Sequence, residues 1–142
     1  MLPAPETRID ETLIDSLVRA FYARAREDAL LGPVFNARIV DWEPHLRVIA
    51  DFWSAVMLSS GRYRGNPLQQ HASLPVDGRH FDRWLELFRE TALDVCAPDV
   101  AQAFIARAGS IARSLEMGMA SGRGVLLAPG QRYVDPSLAP PP

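Results

Sequence analysis

A chain of 142 residues, 48% of them apolar and with a net charge of −2, is long enough for one domain built on a single core. Arg24, Arg26 and Arg38 make no basic stripe for nucleic acid, because Glu27 and Asp28 sit among them. No apolar run approaches the roughly 18 residues of a membrane span. Met1-Leu2-Pro3-Ala4-Pro5-Glu6 lacks the basic start and apolar stretch of a secretory signal, so a cytoplasmic setting is expected.

The first periodic segment runs from about Thr7 or Asp10, both good N-caps, to Glu27. Leu13, Ile14, Leu17, Val18, Phe21, Tyr22 and Ala25 form its stripe. Leu30-Leu31-Gly32-Pro33-Val34-Phe35-Asn36 breaks the period and turns the chain through an apolar corner. A second helix opens at Asp41 and carries Trp42, His45, Ile49, Phe52, Trp53 and Val56 on one side, ending near Ser59-Ser60-Gly61. Asn66-Pro67 caps and starts a short helix that Pro75 closes. Its inward side should carry Leu68, His71 and Leu74 or Ala72. A fourth segment starts at Asp77 and uses Phe81, Trp84, Leu85, Phe88 and Ala92. Cys96 closes it and reads as structural, since a lone cysteine can form no internal disulfide. A fifth starts at Pro98-Asp99 and uses Val100, Phe104, Ile105, Ala108, Ile111, Leu115 and Met119. From Ser121 the period stops, and Gly and Pro predict a loose tail.

Four long helices and one short one would make an ordinary bundle. Three residues point further. His45 lies on an apolar stripe, His71 on a two-turn helix pinned between prolines, and Tyr22 late on the buried face of the first helix. Each alone is weak, since a buried His or Tyr usually needs only a hydrogen-bond partner. Together they offer two imidazoles and a phenol to one apolar interior, which suits a porphyrin. Zinc fits poorly: His45, His71 and His80 are widely spaced, and no His-Glu-x-x-His is present. His80, between Arg79 and Phe81, reads as a surface residue.

Five pieces together carry a resemblance: Phe21-Tyr22, the Leu30–Asn36 corner, Trp42-x-x-His45 with Phe52-Trp53, Asn66-Pro67-Leu68-x-x-His71-x-x-Leu74-Pro75, and Phe81-x-x-Trp84-Leu85-x-Leu87-Phe88. Over about residues 8 to 120 the sequence resembles the truncated haemoglobins, and among them the third group. The resemblance implies an all-α, abbreviated globin fold, a two-over-two helical sandwich around haem. It divides the chain into an N-terminal extension at 1–7, a globin domain at 8–120 and a flexible tail at 121–142.

By the same resemblance His71 stands at the proximal iron ligand and His45 at the distal helix position. Tyr22 matches the distal tyrosine that hydrogen-bonds the bound ligand, and Trp84 a distal tryptophan. Phe35 matches the corner phenylalanine on the porphyrin, and Ile49 and Phe52 the distal wall. Leu68 and Leu74 would keep water from the iron–histidine bond. With no Cys-x-x-Cys-His motif, the expected cofactor is haem b, held non-covalently. The implied function is binding of dioxygen, nitric oxide or carbon monoxide, with nitric-oxide or reactive-oxygen detoxification served by a reductase. The alternatives are a peroxidase-like redox enzyme and a haem-free helical interaction module.

Overall fold

The computed structural model describes residues 8–138 of the chain. The expected N-terminal extension, with Thr7 as a candidate cap, lies outside the described residues. Among the described residues six helices supply the regular structure: α1 (Glu11–Ala25), α2 (Gly32–Arg38), α3 (Trp42–Leu58), α4 (Pro67–His71), α5 (Gly78–Val95) and α6 (Pro98–Gly122). Asp10 starts α1 by accepting the Leu13 N–H at 2.9 Å, so the later of the two candidate caps is used. All seven residues of the α1 stripe are buried. They pack against Trp53, Phe88, Val100, Phe104 and Ala108 in the main core. Each large side chain enclosed there contributes about 1.5–3 kcal/mol. α1 packs on both α3 and α5, and α5 on α6, so two helix pairs lie one over the other in a two-over-two sandwich. Val76, Phe81, Ala112 and Met119 form a second, smaller cluster, which Trp84 and Leu85 join to the first. Phe88 lies between two indoles, with Trp53 and Trp84 each stacked on it at 5.2 Å and 11°. Among the described residues no helix is long and apolar enough to cross a membrane.

Three expectations need correction. The apolar corner contains a helix, α2, which makes the short helices two. No side chain caps it; Asp28 instead accepts the Leu30 and Leu31 N–H groups at 3.1 and 3.0 Å, and Asn36 donates to the Arg26 carbonyl. His80 is buried, 7% exposed, because it closes a capping box: Asp77 caps α5 and the Asp77 N–H donates to His80 Nδ1 at 3.1 Å.

The third correction concerns the tail. α6 runs on to Gly122 and stops in a double turn, Val125 N–H to Ala120 O and Gly124 N–H to Ser121 O. Gly124 supplies the positive φ of 82° that this turn requires. The chain then returns along the core, and Tyr133 and Asp135 are buried. Gly78 N–H donates to Tyr133 O at 2.9 Å, and Arg132 pairs with Glu116 and Asp82. These long-range polar bonds replace the missing apolar period and hold the segment through Asp135. Residues 139–142 of the expected tail lie outside the described residues.

Candidate functional site

The α3 stripe does not enter the core as a core stripe would. Of that helix only Trp53 and Ser54 are buried; His45, Ile49 and Phe52 remain half-exposed. The reason is a cavity of about 720 Å³ beneath them, lined by α1, α2, α3, α4, α5 and α6. Tyr22, Phe35, His45, Ile49, Phe52, His71 and Trp84 all line it, so seven of the eight residues singled out from the sequence converge. That volume falls within the roughly 300–1,000 Å³ of sites that enclose small organic molecules. A second hollow of about 400 Å³ lies between residues 73–75 and the returning tail. Its charged residues Arg123 and Asp135 are already paired with each other.

His71 ends α4. Asn66 caps that helix by accepting the Gln69 N–H at 3.2 Å, and Pro67 opens it. The His71 Nδ1–H donates to the Pro67 carbonyl at 2.6 Å. A carbonyl only accepts, so Nδ1 carries the hydrogen and Nε2 keeps its lone pair. A neutral imidazole with that tautomer fixed by a backbone carbonyl is the form a metal takes.

His45 is half-buried on α3. Burial pushes its pKa below the ordinary value, and any positive charge on His71 would push in the same direction, which favours the neutral ring. It meets Tyr22 edge-on at 6.0 Å and Trp42 at 5.6 Å. Tyr22 is buried in an aromatic cage, with Phe21 at 4.9 Å, Phe35 at 5.4 Å and Trp42 at 5.8 Å. Burial drives its phenol strongly upward, and Trp84 works weakly against this. The hydroxyl therefore stays protonated and remains a donor.

Leu68 is the exception. It is 38% exposed and rests on α6, where a Cβ at Gly118 would lie 2.8 Å from its Cδ1. Residues three apart on a helix differ by about 60° in direction, so α4 can turn Leu68 to α6 and His71 to the cavity. Leu74 and Val76 line the cavity instead. His80, expected at the surface, and the arginines Arg38, Arg62 and Arg64, to which the sequence assigned no role, also border the cavity. The available signals were the Asp77-x-x-His80 spacing of a capping box and the run Arg62-Tyr63-Arg64 beside Asn66-Pro67.

No family model matches the sequence. A group 3 truncated haemoglobin of Campylobacter jejuni is 35% identical over 109 residues, which cover 73% of this chain and 86% of that relative. The crystal structure of the group III truncated haemoglobin from Campylobacter jejuni matches with a TM-score of 0.76 and 33% identity, covering 80% of this chain and 93% of that one.

Proposed function

Because this chain belongs to the group 3 truncated haemoglobins and is a globin haem protein, we propose that its cavity holds one haem b non-covalently, with His71 as the protein ligand to iron. Bound there, haem supplies an iron with an open position for dioxygen, nitric oxide or carbon monoxide. The observation that carries the reading is the His71 ring: its Nδ1–H is held by Pro67 and it borders a large, mainly apolar cavity. Cys96, the sole cysteine, is 1% exposed in the main core with its thiol pushed up to about 11 by burial, which favours non-covalent attachment. Phe35, Ile49, Phe52 and Leu74 exclude water, and Arg38, Arg62 and Arg64 suit the carboxylates of the cofactor.

Tyr22, His45 and Trp84 supply the polar side of the ligand pocket. Three polar groups are more than reversible storage needs. We therefore infer redox service, detoxification of nitric oxide or reactive oxygen, with a separate reductase and no nucleic-acid or membrane partner. His45 favours a second reading, peroxidase-like turnover, since a neutral imidazole beside the ligand can accept a proton. Saturable peroxide consumption that disappears in His45→Leu would select it.

Absorption spectra of the oxidised, reduced and carbonmonoxy forms test the first reading. His71→Ala should abolish the normal ligation spectrum, and His80→Ala should leave it intact. The reverse pattern, or a colourless protein that takes up no haemin, overturns it.

A further inference from the structure

The segment after α6 grips the helix that ends in His71. α4 has five residues, too few to be stable by itself. Its position must come from tertiary contacts, among them donors to the carbonyls of the turn that follows it. Arg123, which follows α6 directly, provides them. Its Nη2 donates to the carbonyls of Ala72 at 3.1 Å and Leu74 at 2.8 Å, on either side of the turn that leaves α4. A cation there also complements the helix dipole.

Arg123 is itself fixed. Its Nη1 donates to the Tyr133 hydroxyl at 2.8 Å and to Asp135 at 3.0 Å, and its guanidinium lies 5.4 Å from the Tyr133 ring centre. Tyr133 and Asp135 are anchored in turn: Tyr133 N–H donates to Glu116 at 2.8 Å, and Asp135 N–H to Asp77 at 3.1 Å. The connection from His71 to α5 is thus held at 72–74 by Arg123 and at 77–78 by the strand of chain beyond it.

We propose that residues 123–135 form a strap, and that Arg123 is a positioning residue that sets the direction of the His71 imidazole toward the iron. The proposal rests on the haem-binding reading above and adds a determinant outside the cavity lining. Without Arg123 the Ala72 carbonyl loses its side-chain donor and the Leu74 carbonyl keeps only the Val76 N–H at 2.9 Å, so the turn that leaves α4 is held to α6 by Leu68 against Gly118 alone. The His71 ring, at that end, then samples more orientations and its bond to iron weakens.

The test uses the full chain loaded with haemin. In the ferrous form, resonance Raman spectroscopy reads the iron–histidine stretch, and transfer to an excess of apomyoglobin reads haem loss. Arg123→Met should lower and broaden the stretch and speed haem loss by about tenfold, the loss expected for a charge-assisted contact. Arg123→Lys, a point charge on a flexible stem, should recover only part of both. Val100→Ala, at the far end of α6, controls for destabilisation alone; it should lower the thermal midpoint and leave the stretch in place. If Arg123→Met does not fold, Tyr133→Phe removes only the hydroxyl that aims the guanidinium and should move the stretch the same way by less. An unchanged stretch and loss rate, or an equal shift in Val100→Ala, overturns the proposal while leaving haem binding intact. A parent protein that takes up no haem fails at the earlier reading instead.

Discussion

Replacing Tyr22 by Phe removes one oxygen and little else. The ring keeps its edge-on contacts with Phe21 and Phe35, at 4.9 and 5.4 Å, so packing is preserved. What disappears is a buried, protonated hydroxyl at the cavity wall. Such a donor matters only to a ligand whose outer atom gathers negative charge. Dioxygen does so on ferrous haem and carbon monoxide much less. A hydrogen bond to a charged partner is worth about 1.5–3 kcal/mol, and about 1.4 kcal/mol is a factor of ten. Tyr22→Phe should therefore release dioxygen one to two orders of magnitude faster and carbon monoxide nearly as slowly as the parent. Stopped-flow displacement of each gas from the haem-loaded protein measures this. Unchanged dioxygen release, or equal acceleration for both gases, would refute Tyr22 as the polar anchor.

Two further outcomes follow from the fold. A Cβ at Gly32 would lie 2.6 Å from the Arg26 carbonyl oxygen, so Gly32→Ala must shift backbone and should cost about 1–3 kcal/mol in chemical unfolding; a neutral result would mean that α2 is not seated as described. Burial holds the His80 pKa below its ordinary 6.5, with Asp77 working against it. The unfolded chain then binds the proton first, and stability falls as the pH drops below about 6.5. His80→Gln keeps an acceptor for the Asp77 N–H without titrating, so the loss in unfolding midpoint between about pH 7.5 and about pH 5.5 should shrink; an identical slope removes His80 as the cause.

The long helices were legible from their apolar stripes, which α1, α5 and α6 bury in the core and α3 turns to the cavity. Asp10, Asn66 and Asp77 cap as expected. The convergence of Tyr22, His45, His71 and Trp84 was legible only in combination, since each residue alone fits an ordinary core. α2 was hidden because Gly32-Pro33 reads as a turn and its support comes from Asp28 and Arg26 outside it. Asp28 in turn is held by Arg83, 55 residues away, at 2.7 Å. The returning tail was hidden for the same physical reason: its burial depends on polar bonds such as Asp135 N–H to Asp77, 58 residues apart, and no local period records them. Leu68 illustrates a different limit, because the sequence puts it on the same side as His71 while only the placement of α6 decides which neighbour it meets.

The sandwich of Trp53, Phe88 and Trp84 gives the protein a built-in optical reporter. Both indoles border the cavity, and parallel stacking on one phenyl ring locks their transition dipoles in direction. The remaining tryptophan, Trp42, does not line the cavity but sits 5.6 Å from His45, which does. Every tryptophan in the chain thus emits within energy-transfer range of whatever fills the cavity. A strongly absorbing occupant will darken all three together, so ultraviolet-excited emission can follow uptake and release in real time with no label attached.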